Sequence, residues 1–180
     1  MTGYAAFLRG IMPTNPNMRN EKLRAVFEGL GFTGVSTLLS SGNVTFHTDE
    51  TDMPALESRI QQALNAELGI PGGTLVRSQA QLRSLVDADW FPGLTHCRET
   101  YLTVTFIKNA AAGLPDPATA STDLARILGY DKTAAAVISV IDNSDPKTPS
   151  FMAWLEKTHG KDITTRTYLT VQKALKKLDS

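Results

Sequence analysis

Short β-type runs alternate with amphipathic helical repeats along this chain, and that alternation limits the folds open to it more than any single motif does. Tyr4 to Arg9 is a largely apolar run closed by Gly10, the pattern of a strand covered on both faces. Residues 11–19 hold two prolines and two asparagines and must be a loop. Leu23, Val26, Phe27 and Leu30 then fall at i, i+3, i+4 and i+7, with Asn20 placed to cap a helix and Gly31 to stop it. Val35–Leu39 and Val44–His47 read as the two strands of a hairpin around Ser40-Ser41-Gly42-Asn43. A second helix runs from about Asp52 to Leu68 on the stripe Leu56, Ile60, Ala63 and Leu64, and Gly73–Ser78 is a fourth strand. Strand, helix, strand, strand, helix, strand is the order of the split βαβ plait found in ferredoxin-like folds.

The remainder of the chain resembles a worn copy of that pattern. A short helix over about 79–86 leads to Trp90-Phe91-Pro92-Gly93, which breaks the periodicity as a connector does. Leu102, Val104 and Phe106 alternate with Thr103 and Thr105 as a strand; residues 109–120 form an Ala/Pro-rich loop; Leu124 to Leu128 suggests a short helix; and Ala135–Ile141 is another strand. Pro149–Thr158 carries Phe151, Trp154 and Leu155 on one helical face, and Tyr168, Val171, Leu175 and Leu178 do the same for a final helix. The expectation is an α+β protein of two ferredoxin-like halves, with antiparallel sheets covered by helices: residues 1–88, a connector over 89–100, and 101–180, packed as one unit. A lone plait covers only one face of its sheet, so either the second half or a second copy must cover the other. A monomer and a homodimer both satisfy this.

Composition removes several classes of function. The 180 residues carry 18 basic and 18 acidic side chains, which argues against a body that binds nucleic acid or a membrane surface through its net charge. The basic residues are nevertheless uneven: residues 1–24 and 157–180 hold ten Lys or Arg against three acids. Those ends make a local positive field if the fold joins them and two ordinary solvated faces if it does not. No run approaches the ~20 apolar residues of a membrane span, and the N-terminus has no basic region followed by an apolar stretch, so a cytoplasmic location is expected. The one cysteine, Cys97, excludes an internal disulfide framework and reads as buried filler, with a reactive thiol as the lesser alternative. His47, His96 and His159 lack metal-ligand spacing; no metal and no cofactor is expected. A Ser-His hydrolase is disfavoured because His47 lies at the far end of the strand from Ser41. Asp87, Asp89 and Glu99 read as solvated surface.

Two constellations remain as candidate sites. In a split plait the C-terminal end of the first strand lies beside the start of the third, which brings Arg9 and Gly10 near Ser41, Gly42 and Asn43. A guanidinium, a hydroxyl, an amide and two glycine backbones suit an anion or a polar ligand. Alternatively, Arg9 ties down the 11–19 loop, and Gly42-Asn43 supplies the backbone angles of a hairpin turn. The second constellation is Thr164-Thr165-Arg166-Thr167 ahead of the final helix, where a helix N-terminus and Arg166 would favour a phosphate or carboxylate. Thr165 or Thr167 serves equally as a helix cap.

Ala6-Phe7-Leu8-Arg9-Gly10-Ile11, the helix ending Gly31-Phe32, and Val35, Thr37 and Ser41-Gly42-Asn43-Val44 with Phe46 resemble the N-terminal signature of the bacterial family called domain of unknown function 1697. Thr164-Thr165-Arg166 with Thr170-Val171 is similar to that family's closing motif. The resemblance implies a two-part ferredoxin-like protein and names no activity. Carried onto this chain, its candidate ligand-binding residues are Arg9, Gly10, Ser41, Gly42, Asn43, Thr165, Arg166 and Thr170. Two departures stand out. Met12-Pro13-Thr14-Asn15-Pro16 replaces the family's usual Asn and glycine-rich loop, and Thr167, Tyr168 and Leu169 replace Asn-Trp-Asn in the closing motif.

Three readings of function follow. One is a binding module that holds a phosphate-bearing or other anionic ligand, a nucleotide or a short nucleic acid, at the Arg9/Ser41–Asn43 edge. Few aromatics besides Phe7 and Phe46 are at hand to stack bases, which weakens the nucleic-acid version. An enzyme acting on a small anionic substrate at the same edge is the second, and a structural or protein-interaction role with both arginines as internal braces is the third.

Overall fold

Two four-stranded antiparallel sheets organise the chain, in a computed structural model that describes residues 1–108, 125–144 and 149–180. The first sheet has the order β2-β3-β1-β4, from β1 (Thr2–Leu8), β2 (Thr33–Leu38), β3 (Asn43–Thr48) and β4 (Thr74–Ser78). The second repeats it as β6-β7-β5-β8, from β5 (Tyr101–Ile107), β6 (Ala125–Asp131), β7 (Ala136–Ile141) and β8 (Ile163–Thr167). The helices are α1 (Asn20–Gly29), α2 (Met53–Leu68), α3 (Gln79–Asp87), α4 (Pro149–His159) and α5 (Tyr168–Asp179). The fold is α+β with two ferredoxin-like halves, as the alternation of runs predicts. By contacts, residues 1–82 and 173–180 form one unit and residues 83–172 the other.

In the first unit, β1 is buried from Gly3 onward and lies between β3 and β4. Tyr4, Ala6 and Leu8 point to the helices, where Leu23, Val26 and Phe27 of α1 and Leu56, Ile60 and Leu64 of α2 complete the core. Phe46 is the hub of this core. Its ring stacks on Phe32 at 4.5 Å, meets Phe27 edge-on at 5.4 Å and lies 5.7 Å from Tyr4, each such pair adding ~0.5–1.5 kcal/mol to the area it buries. Phe7 and Phe46 are both wholly buried, so neither is available for the base stacking considered above.

Helices α1 and α2 form where the periodicity places them, with one change of cap. Asp52 caps α2 by accepting from Ala55 N at 3.1 Å, and Gly69 closes it at φ 66°. At α1 the capping position belongs to Arg19, and Asn20 is the first helical residue. Its amide turns away to donate to Leu39 O at 2.7 Å, which ties the helix start to the hairpin.

α2 also closes the open side of β4, an edge strand whose outward backbone groups would otherwise invite pairing. Glu57 accepts from Val76 N at 2.9 Å, and Gln61, one turn on, donates to Ile70 O and accepts from Thr74 Oγ1. Arg77 completes this seal 3.7 Å from the buried Glu57 carboxylate.

The second unit departs from expectation at β6. Ala125–Asp131 is a strand paired with β7, where the leucine spacing suggests a helix over 124–128. Pairing along β7 outweighs a five-residue pattern compatible with either structure. The expected loop over 109–120 lies outside the described residues. One face of this sheet packs Ile107, Ile127, Val137 and Ile141 against Phe151 and Leu155 of α4. That face also carries a hydroxyl ladder, in which Thr103 bonds Ser139 at 2.6 Å and Thr105 bonds Thr165 at 2.8 Å.

Candidate functional site

Three chain segments meet at the C-terminal end of β1. Phe7 pairs with Asn43, and Leu8 N donates to Gly42 O at 2.8 Å, so the hairpin turn stands beside Arg9. From the other side Arg9 N donates to Gly73 O, also at 2.8 Å. The approach requires glycine: a Cβ on Gly72 would lie 2.0 Å from Arg9 O, and one on Gly42, at φ +79°, would lie 2.5 Å from Ile11 Cγ1. Gly10 also has positive φ, at 77°. Arg9 is half-buried, Gly10 and Ser41 are exposed, and Gly42 and Asn43 are buried.

Asn43 spends its amide inside the hairpin, donating to Leu38 O and Ser41 Oγ, both at 3.0 Å. It shapes the turn and holds the serine. The 11–19 loop is ordered by its own bonds: Asn15 Oδ1 accepts from Asn17 N at 2.9 Å, and Met18 Sδ accepts from Met12 N at 3.1 Å. Met12 and Leu39, on the two loops leaving this edge, are exposed apolar side chains.

Thr165, Arg166 and Thr170 belong to the second unit. Thr164 to Thr167 belong to the strand β8. Thr167 caps α5, accepting from Thr170 N at 3.2 Å, and its hydroxyl pairs with that of Thr170. Arg166 Nη1 donates to Thr164 Oγ1 at 2.7 Å and Thr165 O at 3.0 Å. Burial pulls the guanidinium down to about 10.

The sequence model for "Protein of unknown function (DUF1697)" matches residues 1–130. The chain belongs to the DUF1697 family. Conserved bacterial protein SP0830 from Streptococcus pneumoniae has a similar solved structure, with a TM-score of 0.72 and 20% identity over 98% of each chain, a likeness of fold. Among curated proteins, none matches this sequence.

Other candidate groups of this DUF1697 protein belong to neither constellation. Cys97 is exposed, contrary to the filler reading, because it begins a tight turn in which Cys97 and Thr100 exchange backbone hydrogen bonds. Asp87, Asp89 and Glu99 are exposed, as expected. His47 lies at the opposite end of β3 from Asn43, paired with Gly3. Among the described residues no three His, Cys, Asp or Glu side chains converge as metal ligands, and no helix is long and apolar enough to cross a membrane. Leu178 packs at Gly3, six residues and about 20 Å of strand from Arg9, so the last basic turn of α5 sits toward the other end of β1.

The sequence reading missed Gly72 and Gly73 as neighbours of Arg9, since it uses Gly73 only as the start of the fourth strand. Topology supplies the signal: β4 runs antiparallel to β1, so the residues entering β4 arrive beside those leaving β1.

Proposed function

We propose that this protein is a binding module for a small anionic ligand, phosphate-bearing in its simplest form, held at the end of β1 by Arg9, the Gly10 backbone and the Ser41-Gly42 turn. The observation that carries the reading is the convergence of Arg9–Ile11, Ser41–Asn43 and Gly72–Gly73 at one sheet end, where glycines let backbones approach and a half-buried arginine and an exposed serine belong to adjoining segments. Backbone nests with an adjacent guanidinium suit an oxyanion. Burial of Phe7 and Phe46 favours a phosphate, a sugar phosphate or a nucleotide over single-stranded nucleic acid, which needs exposed stacking platforms.

The test is a thermal-shift screen of the wild type, Arg9→Ala and Arg9→Lys against phosphate, sulfate, nucleotides and short oligonucleotides at two salt concentrations. A ligand that raises the wild-type midpoint and leaves Arg9→Ala unmoved supports the reading; at a hundredfold excess over Kd the gain is about 2.7 kcal/mol. No shift with any ligand, together with a lower midpoint for Arg9→Ala alone, makes Arg9 a structural brace.

A further inference from the structure

A groove of about 460 Å³ lies within the second unit, lined by Trp90, Pro92 and Leu94 of the connector and by Arg126, Ile127 and Leu128 of β6. Its aromatic wall is fixed in place. Trp90 Nε1 donates to Asp131 Oδ2 at 3.2 Å, and its six-membered ring lies so close to Gly129 that a Cβ there would stand 2.6 Å from Cζ3. The nearby carboxylate is turned inward, since Asp131 also accepts from Ala134 N at 2.8 Å.

The opposite wall is made by an irregularity. Ile127 pairs with Ser139 and Gly129 with Ile138, so Leu128 is an extra residue, a bulge in the edge strand β6. A bulge twists an edge away from regular pairing and re-aims its side chains, and here Leu128 lines the groove. Arg126 supplies the cation. It is exposed.

We infer that this groove binds a small molecule with a flat apolar body and one anionic group, such as an aryl carboxylate, the body against Trp90, Leu94 and Leu128 and the carboxylate on Arg126. The volume falls within the ~300–1,000 Å³ usual for small-molecule sites, which are mostly apolar with a few placed polar groups. A planar guanidinium is suited to a carboxylate. The bulge argues against strand addition by a peptide, because the edge it would extend is interrupted at mid-length. The groove shares no residue with the Arg9 edge and does not depend on that reading.

The test uses the full ¹⁵N-labelled chain and follows the Trp90 indole N–H, told from Trp154 with the Trp154→Phe variant. The probes are 4-phenylbutyrate, the neutral 4-phenyl-1-butanol, inorganic phosphate and an apolar hexapeptide with one glutamate. Phenylbutyrate should move the Trp90 signal saturably, bind about tenfold more tightly than the alcohol, and lose that advantage in Arg126→Gln. Leu128→Glu should weaken the acid more than the alcohol, and phosphate alone should leave Trp90 unmoved. Equal binding of acid and alcohol, an advantage that survives Arg126→Gln, or no saturable shift would overturn the inference. Backbone shifts along β6 with the hexapeptide and none with phenylbutyrate would overturn it in favour of strand addition.

Discussion

Arg77 and Arg166 occupy the same position in the two units. Each is the fourth residue of a five-residue edge strand, and each folds its Nη1 back to donate to the carbonyl of the residue before it, Val76 at 2.7 Å and Thr165 at 3.0 Å. The next residue caps the following helix in both cases. Ser78 Oγ accepts from Gln81 N and Thr167 Oγ1 from Thr170 N, both at 3.2 Å. Strand order, an edge-covering arginine and a capping hydroxyl thus recur together, as an internal duplication retains the parts that each copy needs to close its own sheet edge.

Equivalent caps should carry similar weight. Ser78→Ala and Thr167→Ala are each expected to cost about 1 kcal/mol, the usual value of a lost helix cap, read from urea unfolding. Ser78 has the fuller arrangement, because Gln81 Oε1 reciprocates by accepting from Ser78 N at 2.9 Å. Gln81→Ala should therefore also destabilise, and a neutral result would show that the reciprocal bond carries no weight.

Glu57 and Arg77 are both nearly excluded from solvent, which makes removal of the carboxylate costly. Glu57→Leu leaves a buried guanidinium without that partner and Val76 N without its acceptor, at an expected ~3–5 kcal/mol. Glu57→Gln keeps an oxygen for Val76 N and should cost clearly less. Equal losses in the two variants would place the whole effect in the charge and none in the seal over β4.

At the candidate anion site, neighbouring glycines should respond in opposite ways to the same change. Gly72→Ala drives a Cβ onto the Arg9 carbonyl and should cost about 1–3 kcal/mol, while Gly73, with open space around a built Cβ, should tolerate alanine within ~0.5 kcal/mol. Chemical denaturation of the two variants measures this difference. Gly72→Ala should also abolish the ligand-induced thermal shift that Gly73→Ala retains.

Much of this architecture was legible because its elements are long and periodic. Leu23, Val26 and Phe27 declare α1, Leu56, Ile60 and Leu64 declare α2, and the order of elements places Arg9 beside Asn43 before any contact is seen. Failures came where long-range pairing decides. Leu124, Ile127 and Leu128 have helical spacing, yet residues 125–131 are a strand because β7 lies alongside; a second half that copies the first needs a strand there, as the counterpart of β2. Thr164 to Thr167 looked like a helix approach, since a polar run has no apolar alternation, but its hydroxyls are satisfied within the sheet and at the cap of α5. Exposure of Cys97 follows from a turn closed by backbone bonds, which a preference of residue type for the interior does not register.

His159 should give the protein a pH dependence on the acid side. It ends α4, where the helix dipole favours a cation, yet its pKa is lowered below 6.5 because burial outweighs that effect. Neither ring nitrogen has a hydrogen-bond partner among the described residues, and the ring stands perpendicular to Trp154 at 6.5 Å. Between the lowered folded value and 6.5 the unfolded chain binds more protons than the folded one. Stability is therefore complete above about 6.5 and falls as the pH drops below it. The midpoint of thermal unfolding should decline between pH 7 and pH 5 more steeply for the wild type than for His159→Phe, which keeps the aromatic contact and removes the titration. Protonation beside the indole should also quench Trp154 emission over the same range in a Trp90→Phe background, and parallel pH profiles for wild type and His159→Phe would refute the assignment.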